Sequence, residues 1–271
     1  MPVDYHIHTK LCGHASGEME EYLAAAQRLG CAEIGFSDHL PLYFFPPGQI
    51  PEGYAMSREE LPEYVAAVER LKEKAGGVKV KLGIEADYAP GFTEQLSVLL
   101  KSQPFDYVLG SVHFIDGWSF DNEEEIDQYK SWKLIDLYER YFALLCQGAD
   151  SGYFDIMAHA DLIKKFGFVP EENLYPLYED AVKVLKRAGV CLEVNTAGLR
   201  YPIGEFYPAP AFLRLAVRRG IPLTLGSDAH KPEQVGAGFK EALAFLKEID
   251  CHELTLFNQR QRSSYKLYSR Q

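Results

Sequence analysis

Two histidines two residues apart, His6 and His8 in the stretch DYHIHTKLCGH, open a series of ligand-type side chains along the chain. His14 closes the same stretch. The others fall in SDH (Asp38, His39), IEAD (Glu85), SVH (His113), AHAD (His159), EVN (Asn195) and GSDAH (Asp228, His230). Of eight histidines only His252, in IDCHEL, lies outside these segments, and it reads as a surface residue. In a strand, residues i and i+2 point to the same side. His6 and His8 can therefore seize one cation together, and Asp228 with His230 repeats the spacing. Imidazole suits zinc, iron and manganese alike. A lone histidine at a strand end is more often a hydrogen-bonded structural residue than a ligand. Seven of the eight histidines in such places are hard to assign that way. Seven histidines, a glutamate and an aspartate exceed one tetrahedral ion and fit two or three, with a carboxylate bridging.

These side chains act together only if the elements carrying them end on one face. β-Rich runs over Val3–His8, Glu33–His39, Lys79–Asp87, Tyr107–Phe114, Asp155–Asp161, Cys191–Thr196 and Pro222–Asp228 predict seven strands. Helical patterns cover Glu18–Leu29, Arg58–Lys74, Thr93–Leu100, Ser131–Cys146, Glu172–Ala188, Pro210–Arg219 and Pro232–Ile249. In the second of these, Leu61, Val65, Val68 and Leu71 form an apolar stripe. Gly30, Gly76, Gly189 and Gly220 sit just past helix ends, where a left-handed residue is needed. A βα repeat implies a parallel sheet with helices outside. Seven units point to closure into a barrel rather than a doubly wound sheet. In such a barrel the carboxyl ends of the strands converge on one face, where active sites sit. Each predicted unit places a ligand-type residue at or just past that end. With no internal repeat, low-complexity tract or long linker, residues 1–271 read as one α/β domain.

Composition narrows the function. The chain has 271 residues, 47% of them hydrophobic, 25% charged, and a net charge of −11. That length is usual for an α/β barrel of about 250 residues. An acidic chain repels a phosphate backbone, so bulk charge offers no support for nucleic-acid binding. No run approaches the roughly 18 apolar residues of a membrane span, and no targeting segment is expected at the start. The five cysteines are odd in number, widely spaced and outside any CxxC pair, as expected of reduced cytosolic thiols. Cys12 lies among the first histidines and is a possible ligand. The favoured reading is a loop cysteine near a metal site whose ligand set is complete without it.

The order of these motifs resembles the PHP (polymerase and histidinol phosphatase) superfamily. Its pattern is an HxH, a DH, a glutamate, two isolated histidines and a terminal DxH. FSDHLPL, GSVHFIDGW, AHADLIKKFG and EVNTAGLR resemble its histidinol-phosphatase branch. The resemblance spans the chain in order and implies a distorted (β/α)7 barrel with its metal site at the C-terminal ends of the strands. It further implies three divalent transition-metal ions, whether zinc, iron or manganese. His6 and His8 would hold the first with Asp228 and a bridging Glu85. Glu85, His113 and His159 would hold the second, and His14, His39 and His230 the third. His6, His8, Glu85, Asp228 and His230 would form the catalytic core of this cluster. Asp38, Asp4 and Asp161 could orient ligands or serve the fold alone.

A metal cluster in a barrel mouth supplies an activated water and takes up charge on a leaving oxygen, which is the chemistry of phosphomonoester hydrolysis. No GxSxG elbow, GxxxxGK[ST] loop or GxGxxG turn offers a competing apparatus. The resemblance names the substrate as L-histidinol phosphate, cleaved to histidinol and phosphate in histidine biosynthesis. Expected substrate contacts are Arg200 and Lys164, the latter roughly interchangeable with Lys165, as phosphate clamps. Trp118 would flank the imidazole, and Asn195 would join them. The aromatic and proline-rich stretch 40–56 is long enough to be a lid or a packed cap. Rival readings are a PHP phosphoesterase or exonuclease acting on nucleotides or single-stranded DNA, a metal-dependent amidohydrolase, and a metal-binding protein without turnover.

Overall fold

The βα repeat folds as its periodicity predicts. The structure, a computed structural model, describes residues 2–46 and 48–268. In chain order it runs β1 (Val3–Ile7), α1 (Met19–Leu29), β2 (Glu33–Phe36), α2 (Leu61–Glu73), β3 (Lys79–Asp87), α3 (Thr93–Lys101) and β4 (Tyr107–Ser111). A two-residue hairpin, β5 (Phe114–Ile115) and β6 (Trp118–Ser119), follows. Next come α4 (Leu134–Asp150), β7 (Ile156–Met157), α5 (Tyr175–Ala188), β8 (Cys191–Asn195), α6 (Pro210–Arg218), β9 (Leu223–Gly226) and α7 (Phe239–Glu248). A second hairpin, β10 (Glu253–Asn258) and β11 (Gln261–Lys266), ends the described chain. The seven-stranded sheet has the order β1-β2-β3-β4-β7-β8-β9 with every pair parallel. Backbone bonds from His8 N to Ala229 O (2.9 Å) and Ala229 N to His6 O (3.1 Å) join the first strand to the segment after the last. That closure makes the sheet a (β/α)7 barrel.

The strands are buried almost throughout, as expected of a parallel sheet covered by helices. Tyr107 shows how tightly they pack. A Cβ added at Gly35 would lie 2.0 Å, and one at Gly83 2.3 Å, from its side chain. The two glycines thus make room for a ring whose hydroxyl donates to Tyr5 O at 2.7 Å. At the helix ends Gly30 and Gly189 take φ of 64° and 71° and cap α1 and α5 through their N–H groups. No helix among the described residues is long and apolar enough to cross a membrane, and all five cysteines are free thiols.

Three differences from the sequence reading matter. Three strands stop before their ligands: β2 ends at Phe36 rather than His39, β4 at Ser111 rather than Phe114, and β7 at Met157 rather than Asp161. Beyond the ladder the backbone no longer obeys strict alternation. His159 (φ 24°) and Asp228 (φ 52°) adopt left-handed conformations that a strand would forbid. The expected Pro232–Ile249 helix is broken, because Gly236 (φ 63°) and Gly238 (φ 76°) interrupt it and α7 begins only at Phe239. The two hairpins are additional elements.

Candidate metal centre

The residues that close the barrel also carry the ligands. His6 lies in β1 and His8 just after it, and both are buried. After β2 the chain stays beside β3, with Leu40 N bonded to Glu85 O at 2.7 Å and Glu85 N to Asp38 O at 3.0 Å. This parallel bridge sets His39 directly against Glu85.

Glu85 is the hub. Its Oε2 lies 3.3 Å from His6 Nε2, 3.6 Å from His8 Nε2 and 3.1 Å from His39 Nδ1. Its Oε1 lies 2.8 Å from His159 Nε2 and 3.6 Å from His113 Nε2. Asp228 Oδ1 stands 3.2 Å from His8 Nε2, 3.8 Å from His6 Nε2 and 3.5 Å from His230 Nδ1. His14 completes the far side, its ring centroid 4.8 Å from that of His230 and 5.4 Å from that of His39. All nine expected ligands therefore meet in one mouth. His252 packs instead against Tyr268 beside the C-terminal hairpin.

The outward nitrogens explain the inward ones. His6 Nδ1 lies 2.8 Å from Glu193 Oε1, and His113 Nδ1 lies 3.0 Å from Asp87 Oδ1. His14 Nδ1 faces Gly53 O at 2.8 Å and Cys12 O at 3.1 Å; His230 Nδ1 faces Asp228 O at 3.1 Å. Carbonyl and carboxylate oxygens only accept, so these Nδ1 atoms donate, and in the neutral ring Nε2 keeps a lone pair for a cation. Asp38 accepts from Thr9 N at 3.1 Å and from Thr9 Oγ1 and lies 3.5 Å from His8 Nδ1, which places it behind a ligand. Asp4 accepts from Ser227 N (2.9 Å) and Gly236 N (3.0 Å) and ties the loop after β9 to β1.

The donor set fits divalent cations. His6 Nε2 and Glu85 Oε2 are buried, face each other and have no hydrogen bond among the described residues. Buried polar atoms left so are costly unless a cation takes their lone pairs. The electrostatics agree. Burial opposes ionisation of Glu85, yet His6 above all, with His113 and a hydrogen bond from His159, holds its carboxyl well below the usual range. Burial likewise opposes ionisation of Asp228, and His6 and His8 hold it well below its range. Burial keeps His39 and His230 well below theirs, in the neutral form that binds metal. Cys12 is buried, and its sulfur and a ring nitrogen from each of His14 and His230 all lie within 4.8 Å of one another. It therefore stands beside the cluster.

Three expected substrate contacts need correction. Lys164 is buried, with Nζ 2.7 Å from Glu205 Oε1, 2.8 Å from Phe206 O and 2.9 Å from Asp161 Oδ2. Three ammonium protons meet three protein acceptors, which leaves none for a phosphate. Trp118 is buried, its ring edge-on to Tyr129 at 4.9 Å, as a core side chain. Asn195 is buried too. Its amide nitrogen reaches Glu193 Oε2 (3.1 Å) and Asp228 Oδ2 (3.3 Å), and its oxygen accepts from Ala197 N (2.9 Å). It braces the cluster from behind.

Two of the expected cations stand at the mouth. Arg200 is exposed, with Nη2 donating to Ser227 O (2.8 Å) and Asp228 O (2.9 Å), and the rest of its guanidinium has no protein partner among the described residues. Lys165 bonds Asp121 O at 2.8 Å and lies 4.6 Å over the Tyr201 ring. Burial opposes ionisation of Asp121, yet Lys165, His113 and His159 hold its carboxyl below the usual value, so this ion pair borders the cluster. The stretch 40–56, Pro47 lying outside the described residues, packs over the same mouth. Phe44 and Phe45 meet Phe114 at 5.3 and 5.4 Å, and Gly53 anchors His14.

A parallel barrel with a buried carboxylate ringed by imidazoles defines the metal-binding (β/α) barrels as a class. Within it, this chain belongs to the PHP domain family, which it matches over residues 4–197, with a second, PHP-associated match over residues 212–246. A probable histidinol-phosphatase of Deinococcus radiodurans is 41% identical over 253 residues, 93% of this chain and 95% of that protein. The histidinol-phosphatase of Bacillus subtilis is 29% identical over 266 residues, 90% of this chain and 98% of its own. The fold also matches a crystal structure of histidinol phosphate phosphatase from Lactococcus lactis complexed with zinc, L-histidinol and phosphate. That match has a TM-score of 0.83 and 21% identity and covers 96% of this chain and 98% of that one.

Proposed function

We propose that this chain is a metal-dependent phosphomonoester hydrolase that converts L-histidinol phosphate and water to L-histidinol and phosphate in histidine biosynthesis. The observation that carries the reading is the near full-length likeness to the Deinococcus probable histidinol-phosphatase. A nine-residue donor set gathered around Glu85 supports it. Three divalent transition-metal ions would be held by His6, His8, Asp228 and Glu85, by Glu85, His113 and His159, and by His14, His39 and His230. When bound, such ions activate water and offset charge on phosphoryl oxygens.

The chain's own residues supply the rest. Neutral His39 and His230 and ionised Glu85 and Asp228 are the protonation states that ligation requires. Arg200 offers its unpartnered N–H groups to the phosphate from the rim, and Lys165 offers its charge from the neighbouring loop after β7. The aromatic side chains of 40–56 narrow the mouth and exclude bulk water beside the cluster. The test is phosphate release from histidinol phosphate compared with a nucleoside monophosphate and single-stranded DNA, using metal-replete protein. Turnover of the first well above the others is expected; preference for a nucleotide or DNA would replace this reading with another PHP phosphoesterase.

A further inference from the structure

We infer that Glu193 is a positioning residue that fixes His6 and the backbone at His159 together, so that one buried carboxylate sets ligands of two metal sites. The inference rests on the ligand assignment above, and its test is independent of the substrate. Glu193 is fully buried in β8, behind the ligands and not among them. Its Oε1 lies 2.8 Å from His6 Nδ1. Its Oε2 accepts from His159 N at 2.9 Å and from Asn195 Nδ2 at 3.1 Å. His6 is assigned to the first metal and His159 to the second.

The surroundings are built for this contact. A Cβ added at Gly226 in β9 would lie 1.9 Å from Glu193 Oε1 and 2.6 Å from His6 Cβ, so the missing side chain on the neighbouring strand lets the carboxylate reach the ring. His159 holds a left-handed φ of 24°, which a non-glycine residue adopts only when its surroundings impose it. The bond from its N–H to Glu193 is one such constraint. Two of the groups that reach Glu193, His159 N and Asn195 Nδ2, can only donate, and a carboxylate only accepts, so the third, His6 Nδ1, completes the set as a donor. With its Nδ1 proton committed to Glu193, His6 has one tautomer, and its Nε2 lone pair points toward Glu85. Glutamine would be isosteric but would turn an NH2 group toward at least one of these donors.

Two measurements test this. Ring-15N-histidine NMR of zinc-loaded wild type, assigned through loss of the His6 signal in His6→Asn, should show His6 protonated at Nδ1. A proton on Nε2 would overturn the proposal, and this holds even if Glu193 variants fail to fold. In Glu193→Gln, zinc affinity measured by competition with a chromophoric chelator should fall about 10–100-fold for the sites that include His6 and His159. Affinity equal to wild type in a folded Glu193→Gln would also overturn it. Because neither readout uses substrate, a protein that binds zinc as expected yet leaves histidinol phosphate intact would count against the proposed reaction and not against Glu193.

Discussion

Lys164 and Lys165 are neighbours in sequence that turn to different partners, Lys164 to buried Asp161 and Lys165 to Asp121 at the mouth, and that difference makes residue roles separable by experiment. Lys164→Ala removes the partner of buried Asp161. The uncompensated charge should cost about 3 kcal/mol or more in urea unfolding. Lys165→Ala, which unpairs the partly exposed Asp121, should cost less stability than Lys164→Ala and should lower kcat/KM on histidinol phosphate. The reverse pattern would return Lys164 to the site. Arg200→Ala should drop kcat/KM at least about tenfold, since one charge-assisted bond contributes about 1.5–3 kcal/mol and 1.4 kcal/mol is a decade. Lysine there should recover only part, and metal content should not change. Glu85→Ala should lose both metal and activity, whereas His252→Ala should lose neither; equal behaviour of the two would dismantle the cluster. At this scale the side chains that converge around Glu85 were readable as candidate ligands because HxH, DH and DxH are short local patterns tied to strand ends. Glu193 and Asp87 were not. EVN draws the eye to its asparagine and Asp87 to a strand end, but a carboxylate behind a histidine brings together residues 187 and 26 apart, and no local spacing records that.

At the scale of elements, the barrel was legible for the same reason the hairpins were not. Each βα unit carries a periodic pattern and a glycine stop, and seven of them leave few topologies. The last hairpin turns through Gln259 (φ 48°) and Arg260 (φ 62°), a left-handed pair that Asn-Gly usually signals and Gln-Arg does not. The earlier hairpin does carry such a signal, Asp116-Gly117, between strands too short to show alternation. The glycine-for-tyrosine packing of the sheet was equally silent, because Gly83 meets Tyr107 across two strands. Gly83→Ala should therefore destabilise the fold by about 1–3 kcal/mol through overpacking. The Tyr107 ring cannot retreat without giving up its bond to Tyr5 O. The double variant Gly83→Ala/Tyr107→Leu should regain part of the loss in urea denaturation. A fully tolerated Gly83→Ala would mean the ring yields.

For the whole molecule, the cluster couples ligand chemistry to stability, because residues from every strand of the barrel or the segment just beyond it meet there. A ligand that binds only the folded chain at 100–1,000 times its Kd stabilises it by about 2.7–4.1 kcal/mol per site. For a chain of this size that is about 5–15 °C in Tm. Chelation should lower Tm by at least that much, and adding zinc, manganese or iron should restore it. The increment should also depend on pH with a definite sign. In the metal-free fold, burial opposes charge on His6 and His113. Glu193, Asp228 and Glu85 nevertheless hold His6 well above the usual histidine range, and Asp87 and Glu85 hold His113 at about 10. Such raised groups stabilise the metal-free fold fully below the ordinary histidine pKa, and that stabilisation fades as pH rises through their folded values. A metal must displace those protons, so it competes with them at low pH and gains as they leave. The Tm difference between metal-loaded and chelated protein should therefore be larger at pH 8 than at pH 6, measured by differential scanning calorimetry in non-chelating buffers at equal free metal. A difference that shrank with rising pH would show that the ions are not held by these histidines.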